Sequence, residues 1–262
     1  MENNLLKPTR WLLAIPMIVF GVQHFIYKNF LPKLEPVPAW VPARVVLAYV
    51  TGTIIILAAV GIVSGILDRQ SAIVLGIIFI GSVIFLHLPL LVSNLHDPDK
   101  WACICEELGI GSGVIMFAGL ISGKHSNGVQ EKPARVAGIF FALSLVIFGI
   151  QHFMYGEYIA KLIPSWIPGH IFLAYFIGVA FIAVALSILI KKKTWLAGIL
   201  LGFMFLFWEI SLHIPRVIAK PNGMDEWTSA AVALAMCASS FVVALSAPGE
   251  QVTAHALQRQ NY

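Results

Sequence analysis

The sequence predicts an all-α polytopic membrane protein, with eight transmembrane helices in two parallel four-helix repeats. Three observations carry that prediction. First, the chain of 262 residues is 59% hydrophobic and only 11% charged, where an ordinary soluble protein carries about 25% charged residues. Its mean hydropathy is +0.86. A chain this apolar cannot cover its surface with polar groups in water. Second, eight apolar stretches are each long enough to cross a bilayer, which takes roughly 17–25 residues. Third, the first half of the sequence returns in the second.

Gly21-Val22-Gln23-His24-Phe25-Ile26-Tyr27 returns as Gly149-Ile150-Gln151-His152-Phe153-Met154-Tyr155. Pro38-Ala39-Trp40-Val41-Pro42 returns as Pro164-Ser165-Trp166-Ile167-Pro168, and His87-Leu88-Pro89 as His213-Ile214-Pro215. Trp40 precedes His87 by 47 residues, as Trp166 precedes His213; a further 14 residues lead to Trp101 and to Trp227. Only the stretch from the first histidine to the first tryptophan differs, 16 residues against 14. A shared register over this length predicts a tandem duplication. The units are a first repeat over residues 1–123, a linker over 124–134, a second repeat over 135–247 and a polar tail over 248–262.

In chain order, the predicted spans are 10–28, 44–67, 70–95, 101–123, 135–155, 170–190, 194–218 and 227–247. Backbone groups in hydrocarbon must bond within their own segment, so each span is read as a helix. The β-branched run Thr53-Ile54-Ile55-Ile56 does not change this reading. The first span lacks a small-residue cleavage site and has an internal copy, so it is expected to be retained rather than removed as a signal. An even number of spans per repeat makes the two halves enter from the same face. Between spans one and two lies a segment with four prolines, Pro32, Pro36, Pro38 and Pro42, which rules out a regular long helix. Its Leu, Val and Trp residues suit the membrane interface, where it is expected to lie on or dip into the surface. Its counterpart is Ile159 to Pro168.

Basic residues set the orientation. Lys7, Arg10, Arg69, Lys124, Lys132, Arg135, Lys191, Lys192, Lys193 and Arg259 fall on the face of the N-terminus, which predicts a multi-pass inner-membrane protein with both termini cytoplasmic. The basic residues thus read as topology signals, and no nucleic-acid partner is expected; the partner is the lipid bilayer.

Candidate functional residues are the ionisable ones placed inside spans. His24 and Tyr27, like His152 and Tyr155, are three apart on one helix face. His87 and His213 each lie two residues before a proline, which frees a carbonyl and permits a bend. All four histidines fall in one outer layer, where His24 is expected to meet His87, and His152 to meet His213. Glu209, four residues before His213, has Val83 at its matching position, and it is expected to make the second cavity the more acidic. The ligand-binding set is therefore His24, Tyr27, His87, His152, Tyr155, Glu209 and His213. Imidazole can relay protons, hydrogen-bond a quinone carbonyl or bind haem or a metal, and equally can tie helices together. Cys103-Ile104-Cys105 offers a labile disulfide or a soft-metal pair, but a chance pairing is the simpler reading. Trp40, Trp101, Trp166 and Trp227 read as interface anchors, and Gly52 and Gly178 as points of close helix approach. No phosphate loop, haem-attachment motif, zinc-protease motif or nucleophile elbow is present.

The G-X-X-H-F segment closing the first span, the Pro/Trp-rich loop and the polar-Pro end of the third span resemble the DoxX-like membrane protein family, here as a fused pair of units. The resemblance implies a quinone-linked redox role; with no cofactor motif in the sequence, electrons are expected from a partner subunit. It supplies no catalytic residues, so whether the chain is an enzyme stays open. Two alternatives stand beside it: a non-enzymatic scaffold or transporter for a lipophilic solute, and haem or metal binding by paired histidines.

Overall fold

A computed structural model describes residues 2–123 and 132–247. Among these all regular structure is helical, and eight helical segments are long and apolar enough to cross a membrane. The first four spans are α1 (Glu2–Tyr27), α2 (Arg44–Ser64), a composite third span and α5 (Pro98–Gly123). The third span runs from α3 (Asp68–Ser82) through a π-helical turn (Val83–His87) into α4 (Leu88–Ser93). After α6 (Lys132–Met154), a short α7 (Gly156–Leu162) leads to α8 (His170–Ile190). The seventh span again has three parts, α9 (Thr194–Trp208), a π-helical turn (Glu209–His213) and α10 (Ile214–Ala219), before α11 (Met224–Leu245). Lys132 to Ala134, expected at the end of the linker, already belong to α6; the rest of that linker and the tail 248–262 lie outside the described residues.

The two π turns have a local cause. Proline at 89 and at 215 has no N–H and crowds the preceding turn. The helix widens just ahead of it, so that Leu88 N–H reaches Val83 O and Ile214 N–H reaches Glu209 O, five residues back. Such turns cluster at functional sites. Here each one ends on a histidine.

Helix neighbours follow a ring: α1, α2, α3, α5, α6, α8, α9, α11 and back to α1, with α5 and α11 also in contact across the middle. In the apolar windows of α5 and α11, 78% and 83% of residues are buried, against 44% or less in the other six spans. The last helix of each half therefore forms a central pair that both lobes share. Small residues make that pairing possible; Gly109 faces Met236 and Gly113 faces Ser239.

Glycine also sets the α1–α2 and α6–α8 contacts. A Cβ on Gly21 would sit 2.8 Å from Gly52 O, and one on Gly149 would sit 2.9 Å from Gly178 O. Both helix pairs approach backbone to backbone. Alternation of the spans is fixed by contacts at the two ends. Arg10 pairs with Asp68 at 2.5 Å on the face where α1 begins. On the far face, Gln23 bonds Met224 O and Thr228 at the start of α11, and Gln151 bonds Pro98 O at the start of α5.

Candidate functional site

The segment between α1 and α2 does not stay on the surface. Leu31, Leu34 and Glu35 are buried, and a tight turn closes there, with Glu35 N–H donating to Leu31 O. Arg44 pins the base of the segment through Val37 O at 2.6 Å and Asn29 Oδ1 at 3.0 Å. The segment is re-entrant, and its dipping end carries a carboxylate into the first lobe.

His24 receives that carboxylate. Its Nδ1 lies 2.8 Å from Phe20 O, one helical turn back, and its Nε2 lies 2.6 Å from Glu35 Oε2. A carbonyl can only accept, so Nδ1 carries a hydrogen. The short Nε2–Oε2 contact then holds one shared proton, whichever partner formally owns it. His24 is 0% exposed and Glu35 4%.

His87 meets the same segment one residue earlier. Its Nε2–H donates to Leu34 O at 2.8 Å, and Ser82 Oγ–H donates to the same carbonyl at 2.7 Å. Glu107 Oε2 lies 2.9 Å from that Nε2, but the hydrogen points at Leu34 O. Both oxygens of the fully buried Glu107 are left without a hydrogen-bond donor. His24 and His87 are therefore joined through the Leu34–Glu35 backbone and not by the direct pairing expected. The physical reason is that the dipping segment occupies the space between them.

The second lobe is built differently. His152 repeats the first bond, Nδ1 to Phe148 O at 2.8 Å, but its ring then packs edge-on against Phe181 at 5.2 Å. Positions matching Ser82 and Glu107 hold Trp208 and Ala233. His213 does not pair with His152. It lines a cavity of about 400 Å³ at the seam of the two halves, with Lys33, Arg216, Lys220, Asp225, Glu226 and Ser229, and its Nδ1 is buried without a partner. Glu209 is buried with Oε2 unpartnered, but does not line that cavity. The expectation that Glu209 acidifies it is thus not met: three cations and two carboxylates from other positions set its charge. Tyr27 turns away from His24 and places its hydroxyl 3.4 Å from Asn222 O. The backbone of Tyr155 bonds Gln151 O and Ile159 N–H where α7 begins.

Three residues of the network, Glu35, Ser82 and Glu107, were not among the expected site residues. Signals for two of them were present, and Glu107 is an ionisable residue inside the span read at 101–123. Aligning Lys33-Leu34 with Lys161-Leu162 places the two-residue difference between the halves at Glu35-Pro36. Both cysteines of the Cys103-Ile104-Cys105 pair are free, and α5 turns residues two apart to different sides. Both nitrogens of His24 are engaged, so it is not a haem or metal ligand in this arrangement. Among the described residues no three His, Cys, Asp or Glu side chains gather as a metal site.

Eight apolar spans around an internal polar network define a multi-pass integral membrane protein. No family model, curated protein or solved structure matches the chain.

Proposed function

We propose that the protein is a quinone-linked membrane subunit of DoxX-like type, in which the His24–Glu35 and His87–Glu107 network exchanges protons with a lipophilic redox molecule. One observation carries this reading: four ionisable groups, each at most 4% exposed, gather inside one membrane lobe, with a proton shared between His24 and Glu35 at 2.6 Å and Glu107 2.9 Å from His87. Groups of this kind are costly in a bilayer and mark proton and substrate pathways. A quinone takes up two protons with its two electrons, so its chemistry needs such a store. Electrons come from a redox partner subunit, since the chain carries no cofactor motif. The inner membrane is its location, with both termini cytoplasmic. Lys192→Cys should then label only from the cytoplasmic side, and labelling from outside intact cells would reverse the orientation.

The function is tested with the purified protein and a short-chain ubiquinone. Saturable quenching of tryptophan fluorescence is expected. Reduction of the bound quinone should give an infrared carboxyl signal that disappears in Glu35→Gln or Glu107→Gln. Absence of saturable binding, or an unchanged signal in both variants, would leave the network as a structural tie.

A further inference from the structure

The seam cavity takes no part in that network, and its unmet bonding capacity has a definite pattern. It lies where α10 ends and α11 begins. Trp227, 38% exposed, sits at the same level with its Nε1–H on Pro221 O. That is headgroup depth for a tryptophan at a helix end.

Among its charged groups, Lys220 is committed to Glu226 at 2.9 Å. Lys33 donates to Ser229 at 3.2 Å and stands 3.9 Å from Asp225, whose side chain is 71% exposed. Asp225 is therefore loosely held. Arg216 makes one long contact, 3.4 Å to Leu162 O, and keeps most of its five N–H donors unspent. His213 Nδ1 is buried and unpartnered. A guanidinium and a carboxylate thus face one recess with bonds to make, and His213 lines it beside them. Exposed Ile210, Ile214 and Ile218 run along the same segment beside the recess, offering a hydrocarbon track into the bilayer.

A group with one charge of each sign and an acyl tail satisfies this pattern. We propose that the cavity binds the zwitterionic headgroup of an aminophospholipid, with Arg216 and His213 on the phosphodiester and Asp225 on the ammonium. Guanidinium matches phosphate oxygens in paired N–H bonds. The carboxylate distinguishes an ammonium that donates hydrogen bonds from a trimethylated one that cannot. The reading is independent of the quinone proposal.

The test uses the full-length protein in detergent micelles and native mass spectrometry with an equimolar mixture of dioleoyl phosphatidylethanolamine, phosphatidylcholine and phosphatidylglycerol. Retention of the ethanolamine lipid should exceed the other two by about tenfold, the scale of one hydrogen bond to a charged group. Arg216→Ala should lower retention of all three lipids, because each carries the phosphodiester. Asp225→Asn, at an exposed position that leaves the fold intact, should bring ethanolamine down to the choline level. Equal retention of phosphatidylglycerol would overturn the zwitterion assignment. Ethanolamine retention unchanged in both variants would place the lipid elsewhere. Displacement by free phosphoethanolamine at equal concentration would make the occupant a soluble phosphate ester and not a membrane lipid.

Discussion

His24 and His152 close their helices with the same bond, Nδ1–H to the carbonyl four residues back, at 2.8 Å in both. Beyond that bond the two halves part. In the first, Nε2 meets a buried carboxylate; in the second, the imidazole packs against Phe181. Features present in both halves are packing devices: the glycine pairs, the glutamine bonds between spans, the tryptophan anchors and the π turns. Features that concentrate ionisable groups belong to one half. Likeness between the halves therefore marks what the helix plan needs, and difference marks where buried ionisable groups gather.

Removing the difference should have the largest effect. Deleting Glu35 and Pro36 gives the first half the spacing of the second, Lys-Leu followed directly by an apolar residue and proline. It leaves His24 without its partner, and Leu34 is no longer held in place for Ser82 and His87. Breaking a buried ion pair by removing one partner costs about 3–5 kcal/mol. The deletion should lose at least that much stability in detergent, read by thermal unfolding, or fail to accumulate in the membrane. A deletion variant as stable as the parent would show that the segment does not dock as described.

A smaller effect, but a sharper comparison, comes from truncating each histidine. His24→Ala orphans the Glu35 carboxyl in a buried site, whereas His152→Ala loses one local hydrogen bond and an aromatic contact. Each of those is worth on the order of 1 kcal/mol. The first variant should be the less stable by about 2 kcal/mol. A double-mutant cycle of His24→Ala with Glu35→Ala should show strong coupling, since removing both partners relieves the orphaned group. Equal costs at 24 and 152 would erase the distinction between the lobes.

The fold was legible because hydropathy and length decide it. Each predicted span overlaps an observed one, and the tight Lys191-Lys192-Lys193 turn falls between α8 and α9 as read. The shared centre was not legible, because Gly109, Gly113 and Ser239 announce close packing without naming the partner helix. The network was half legible. His24 and His87 stood out as ionisable groups in spans. Glu35 lay in a loop that prolines mark as irregular, and nothing local says that the loop turns inward. The 16-against-14 spacing pointed to it, but a search for shared residues passes over an inserted one. Glu209 misled for the opposite reason. Helical spacing of four puts it under His213 on an α-helix, but the two residues span a π turn, where the wider winding changes their relation.

Glycine contacts test the common plan. Gly52→Ala and Gly178→Ala each place a methyl about 2.8 Å from a histidine Cβ on the facing helix, so backbone must shift in both. Overpacking of this kind costs about 1–3 kcal/mol. The two should match within about 0.5 kcal/mol, and Gly52→Ala should in addition weaken the quinone binding proposed above, because it displaces His24. Unequal stability costs would mean that the two helix pairs do not share one packing mode.

The smallest expected effect is at the tryptophans that start the central helices. Trp101 Nε1–H donates to Leu95 O at 2.9 Å, and Trp227 Nε1–H to Pro221 O at 2.8 Å, each tying the helix to the loop six residues earlier. Phenylalanine keeps an aromatic ring and removes the donor. Each bond is partly wet, and its carbonyl can turn to water or headgroups when the indole is gone, so each variant should lose about 1 kcal/mol or less. The two losses should be alike, because the loops end at the same distance from their helices. A larger loss at Trp101 would extend the distinction between the lobes to this loop, since the adjacent first turn of α5 leads to Glu107. A larger loss at Trp227 would instead tie the anchor to the seam cavity, and ethanolamine-lipid retention should then fall in Trp227→Phe and not in Trp101→Phe.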